Sequence, residues 1–188
     1  MLNRDEAIRL WRTHNQDESL FRHALSVEAA LRRFAVRYGR DPDWWGLVGL
    51  LHDIDYEKWP EEHLKHARPI LAEAGLPEEF IRAVESHGWG LCTDVEPKSD
   101  MEKVLYAVDE LTGFIAACAF VRPSRSVLDM EVKSVRKKWG AAAFAAKVDR
   151  SVIEKGAAML GLSLDELIGE TILALRDASE AVGLKGTL

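Results

Sequence analysis

The chain has 188 residues, 47% hydrophobic and 30% charged, with a formal net charge of −6 at pH 7. That balance excludes a disordered or fibrous chain and argues against a nucleic-acid polymer held by global positive charge. The length suits one domain with a sizeable core.

Met1-Leu2-Asn3-Arg4-Asp5-Glu6 carries charges where a signal peptide needs an apolar run. The longest apolar stretch, Val104 to Val121, holds Asp109 and Glu110 at its centre, so it reads as a buried helix and not a membrane span. Cys92 and Cys118 stand apart with no CxxC spacing, as free thiols do in a reducing compartment. A cytoplasmic protein with no membrane partner is the expectation.

Nearly every segment has helical period. Asn3 with Glu6 three residues later predicts a capped helix to about Thr13. Asp17 to Tyr38 is a longer helix with the stripe Leu20, Ala24, Val27, Leu31 and Phe34, ended by Gly39. Asp41-Pro42 opens a third helix that runs to His52. Irregular chain follows to Pro60. A helix is predicted from Glu61 to about Ala74, interrupted or restarted at Pro69, and another from Glu78 to His87. Residues 88–99 read as loop. Asp100 is taken as the cap of a helix to about Ala119. Further helices are predicted at about 126–139, 149–160 and 163–182. No strand or repeat stands out, so the fold class is an all-α, single-domain helical bundle over residues 1–188.

Several ionisable residues sit on core-facing stripes. His23 lies between Leu20 and Val27, His87 follows Phe80 and Val84, and Asp109 flanks the stripe of Leu105 and Val108. His52-Asp53 ends an apolar helical run. A buried carboxylate needs a cation or donor, and separate helices that converge nitrogen and oxygen ligands are how bundles build metal sites. Imidazole and carboxylate suit Fe, Mn, Zn or Co, with Mg also admissible.

The order His23, His52-Asp53, His87, Asp109 resembles the HD superfamily of metal-dependent phosphohydrolases, over roughly residues 19–115. The helices at about 126–182 would complete the bundle. Val108-Asp109-Glu110-Leu111-Thr112-Gly113 and Arg122-Pro123-Ser124-Arg125-Ser126-Val127-Leu128 are similar to a group of small standalone members described only as predicted hydrolases. The resemblance implies one or two divalent ions. Asp53 would bridge them, His23, His52 and Asp109 would hold one, and His66 and His87 the other. His63, three residues before His66, competes for that place; His66 is preferred on motif context. His52 and Asp53 would form the catalytic centre, since such ions acidify a water and clamp a phosphoryl oxygen.

Many members read His-Asp-Ile-Gly-Lys, whereas Asp55 and Tyr56 stand at the last two places here. Phosphate charge must then be met elsewhere. Tyr56, Lys58, Arg122 and Arg125 are the candidate substrate contacts, the two arginines because they precede a predicted helix N-terminus. Asp55 is a candidate for orienting a ligand histidine, and Glu110 reads as a surface acid or a general base. The expected activity is hydrolysis of a small phosphorylated compound, with a nucleotide the commonest type in the superfamily. A di-iron oxygenase and a non-catalytic metal- or nucleotide-sensing domain are the alternatives. The sequence is compatible with a monomer or a homodimer.

Overall fold

Side-chain caps set where most of the helices begin. In the computed structural model, which describes residues 2–187, Asn3 and Glu6 form a reciprocal capping box that opens α1 (Arg4–His14). Asp17 accepts from Ser19 and Leu20 N–H to open α2 (Glu18–Arg37), and Asp41 does the same from Asp43 for α3 (Pro42–Leu51). The chain then turns through residues 52–58 and makes one 3-10 turn at Pro60–Glu62. It continues into α4 (Ala67–Glu73), α5 (Glu78–Ser86), α6 (Asp100–Phe120), α7 (Val132–Trp139), α8 (Arg150–Met159) and α9 (Leu164–Asp177). The described residues contain no strand, and the all-α expectation holds.

Four elements differ from the periodicity; the last helix, predicted to about 182, ends at Asp177 and continues in turns. The predicted helix from Glu61 is broken upstream of Pro69, because Leu64 takes a left-handed φ of +69° that a helix cannot contain. Ser99, not Asp100, caps α6, pairing with Glu102 in a capping box. The segment predicted helical from Ser126 is a series of turns until Val132. There Ser126 Oγ accepts from Leu128 N–H, Ser124 donates to Asp129, and Arg125 is itself left-handed. Apolar Val127 and Met130 are nonetheless buried, and their carbonyls accept from Arg176 of α9. Burial therefore produced a helix-like pattern without a helix.

α6 is the central element, touching α2, α5, α7, α8 and α9, while α3 packs most closely on α2. Glycine permits both tight crossings. A Cβ on Gly49 of α3 would stand 2.9 Å from the Glu28 backbone nitrogen of α2, and one on Gly156 of α8 would stand 2.6 Å from Ala107 of α6. The packing brings the C-terminal ends of α3 and α5 together, with His52 beside His23 in the first half of α2 and Asp109 in the middle of α6. No helix in the described residues is long and apolar enough to cross a membrane.

Candidate metal centre

Two helix ends supply two of the imidazoles. His52 follows the last residue of α3 and His87 the last of α5. The final carbonyls of a helix lack intrahelical partners. Each histidine donates its Nδ1–H to one of them: His52 to Gly49 O at 2.7 Å, His87 to Val84 O at 2.6 Å. Both Nε2 atoms are thereby turned inward.

His63 is fixed the same way by a carboxylate, its Nδ1–H donating to Asp55 at 2.9 Å. His23, on α2, has Nδ1 at 3.5 Å from the Thr112 hydroxyl, which in turn donates to the Asp109 carbonyl. All four rings hold Nδ1 outward and present Nε2 to one another. His23 and His52 face each other at 3.2 Å, and His63 and His87 at 3.1 Å.

Asp53 lies between the two pairs. Its Oδ2 is 3.3 Å from His52 and 3.7 Å from His23, whereas its Oδ1 is 3.3 Å from His63 and 3.5 Å from His87. Asp109 joins the first pair, with Oδ1 at 3.0 Å from His23 and 3.4 Å from His52.

Burial opposes charge on His52, but Asp53 and Asp109 outweigh it and raise the imidazole well above its usual range. Burial likewise opposes charge on His63, yet Asp53 and Asp55 push it up to about 9. Asp53 and Asp109 are held well below the carboxylate range, because neighbouring imidazoles overcome the cost of burial. Burial, with Asp109 adding to it, pushes the Glu110 carboxyl up to about 7.

This arrangement suits a cation. Two inward-facing nitrogens about 3 Å apart repel unless a proton or metal lies between them. Ligands at about 2.0–2.2 Å from one ion are separated by distances of the same order as those seen here. The ligand atoms of His23, His52 and Asp109 lie within 4.8 Å of one another, as do those of His52, Asp53 and His87, so these groups could hold a metal. No thiol joins them: Cys118 is buried elsewhere, and Cys92 lines only the pocket above.

A model of the HD domain matches residues 20–113, half of the chain. The chain belongs to the HD-domain family. That superfamily of metal-dependent phosphohydrolases is the one the histidine and aspartate order resembles. Comparison with curated proteins and with solved structures found no match.

Within this HD domain the structure gathers His23, His52, Asp53, His87 and Asp109, but not His66. The His66 ring stacks on Trp59 at 4.3 Å, receives a contact from Glu62 at 3.1 Å and is 35% exposed. His63 stands in the expected place instead. Motif context alone favoured His66, and the left-handed Leu64 between the two histidines separates them, so that only His63 faces the donors.

The substrate contacts divide as well. A pocket of about 380 Å³ opens over the donors, with Tyr56, Glu110 and Lys147 in its walls. Tyr56 meets His63 edge-on at 5.1 Å. Lys58 is turned away, donating to Thr13 O, and Arg122 is tied to Asp129 at 2.8 Å. Arg125 lines a different hollow, and neither arginine sits at the N-terminus of α7, which starts only at Val132. Lys147 went unrecognised in the sequence, where it sits in an alanine-rich segment without helical period. Glu110 is half-buried and faces this pocket, so it is no simple surface acid. A larger hollow of about 700 Å³ between α2 and α9 contains none of these donors. Its Arg33 and Arg37 are paired with Glu170.

Proposed function

We propose that this protein is a metal-dependent phosphohydrolase acting on a small phosphorylated compound, a nucleotide being the first type to test. The observation that carries the reading is Asp53, whose two oxygens turn to two separate imidazole pairs. A bridging carboxylate between two divalent ions needs that disposition. His23, His52 and Asp109 would hold one ion, and His63 and His87 the other.

Ions bound there would acidify a water and stabilise charge on a phosphoryl oxygen. The chain's own residues do the rest. The Nδ1 partners Gly49 O, Val84 O and Asp55 keep the imidazoles in one tautomer and orientation. Lys147 brings a cation to the pocket that Tyr56, at the usual lysine position, does not. Leu20, Leu91 and Val148 give the same pocket an apolar wall for the organic part of a substrate.

A second reading keeps the donors and changes the chemistry to that of a di-iron oxygenase; Tyr56 in place of lysine favours it. Two measurements decide. Elemental analysis of protein purified without added metal counts the ions, and none at all would sink both readings. A panel of phosphate esters with Mn, Fe or Zn is then run beside oxygen uptake by the iron form. Ester hydrolysis without oxygen uptake is the expected result.

A further inference from the structure

Most glycines inside the helices are forced by a neighbour. An added Cβ would stand 2.7 Å from Arg32 at Gly46, 2.8 Å from Leu31 at Gly49 and 2.6 Å from Ala107 at Gly156. At Gly169 it would make an ordinary 3.6 Å contact with Val132. Gly113, in the middle of α6, would meet nothing within 4 Å. Glycine weakens a helix relative to alanine because its backbone loses more freedom on folding. Protein packing gives no reason for it here. Close approach of a ligand to the helix does.

Gly113 also lies where two cavities meet. Gly113 and His23 line both the pocket over the donors and a cavity of about 140 Å³ beyond it. That second cavity reaches Phe120, a residue 51% exposed that also lines a third hollow with Arg125 and Lys185. From Gly113 to Phe120 the helix rises about 10 Å. Three hollows thus follow one another along α6, from the donors, through a middle cavity with Gly113, Ala116 and Phe120 on one side and Arg22 of α2 on the other, to an end with Arg125 and Lys185.

The basic end is built with some strain. Arg125 holds a left-handed φ of +49°, and its turn is pinned by Thr187 N–H donating to Ser124 O at 3.0 Å and by Val127 N–H donating to Leu184 O at 2.9 Å. Non-glycine residues persist in that conformation only where their surroundings impose it, and such positions cluster at ligand clamps. Lys185 is loosely paired with Glu180 at 3.7 Å. Arg125 lines this hollow beside Lys185.

We propose that the substrate is elongated and anionic at both ends. One phosphoryl group lies at the donor cluster, an apolar or planar body crosses Gly113 and rests on Phe120, and a second anionic group is received by Arg125 and Lys185. The proposal rests on the hydrolase reading only for the fate of the first phosphoryl group.

Chain length provides the test. Manganese-loaded protein is titrated calorimetrically with ethane-, hexane- and decane-α,ω-bisphosphonate, with decylphosphonate as the single-headed control. The decane compound is expected to bind about tenfold tighter than decylphosphonate and than the ethane compound, equivalent to ~1.4 kcal/mol. Arg125→Ala should abolish that advantage, and Gly113→Leu should reduce it by filling the middle cavity. Gly113→Ala guards against a folding artefact, since it should melt no lower than wild type. Affinity that ignores chain length, or an advantage that survives Arg125→Ala, overturns the proposal. Hydrolysis of p-nitrophenyl phosphate is assayed separately. Its absence beside length-dependent binding would count against the hydrolase and still support the groove.

Discussion

His63 donates from Nδ1 to Asp55 at 2.9 Å, and that bond aims its Nε2 at Asp53, 3.3 Å away, and at His87, 3.1 Å away. Asp55 is fully buried and also accepts from the His66 backbone N–H at 3.1 Å. Burial opposes its charge, but His63 and the backbone donors more than offset this and lower its pKa. Asp55→Ala should therefore release the ring and weaken the ion at His63 and His87 by about 10–100-fold, the usual effect of losing a partner behind a ligand. Titration with a chromophoric chelator reads this directly. An unchanged affinity for both ions would remove Asp55 from the design.

Single-ligand variants separate His63 from His66. His63→Ala is expected to leave one ion of two, and His66→Ala to leave both, since the His66 ring lies on Trp59. Asp53→Ala should lose both ions, because it alone faces each imidazole pair. Metal counts by elemental analysis decide, and full occupancy in Asp53→Ala would contradict the proposed bridging role.

Much of the centre could be read from the chain because its residues break helical patterns that are otherwise regular. His23, His87 and Asp109 each sit on or beside an apolar stripe, and a polar residue there demands a partner. His63 offered no such sign. Its place depends on the left-handed Leu64, and a leucine gives no hint of positive φ where a glycine or asparagine would. Arg122 and Arg125 were misplaced for a related reason. Buried Val127 and Met130 mimic a helical stripe, so the predicted helix began six residues early and carried a fictitious N-terminus with it. Lys147 belongs to a turn-rich segment whose position relative to the donors is set only by tertiary packing.

Metal binding should depend on pH with a definite sign. Against the cost of burial, Asp53 and Asp55 push the His63 imidazole up from its ordinary 6.5 to about 9. The stability it contributes is complete below about 6.5 and lost as pH rises through about 9. The depressed Asp53 and Asp109 contribute stability above the ordinary carboxylate range, and it fades as pH falls through their lowered values. An incoming ion must displace the imidazole protons, so its affinity should rise toward about pH 9, roughly tenfold per pH unit for each proton released. Calorimetry in two buffers of different ionisation enthalpy counts those protons. Zero release at about pH 7 would contradict the raised His52 and His63.

The spacing of α2 and α3 should matter as much as the ligands they carry. Gly49 lies three residues before His52 and supplies the carbonyl that orients its ring at 2.7 Å. A Cβ at that position would meet Leu31 Cδ1 at 2.8 Å and, at 2.9 Å, the Glu28 nitrogen and Val27 carbonyl carbon. The leucine could rotate away, but the α2 backbone cannot, so α3 would have to withdraw from the helix that carries His23. Gly49→Ala is expected to cost about 1–3 kcal/mol, as overpacking does. For a chain of this length that lowers the melting temperature by roughly 2–4 °C per kcal/mol. It should also weaken the ion shared by His23 and His52, whose nitrogens now stand 3.2 Å apart. Gly113→Ala is the opposite case, a helix-internal glycine with open space around it, and should stabilise by up to about 1 kcal/mol. Thermal melts and metal titrations of the two variants side by side make the comparison. If Gly49→Ala melts like wild type and binds metal as tightly, the α2–α3 contact does not set the distance between the two imidazoles.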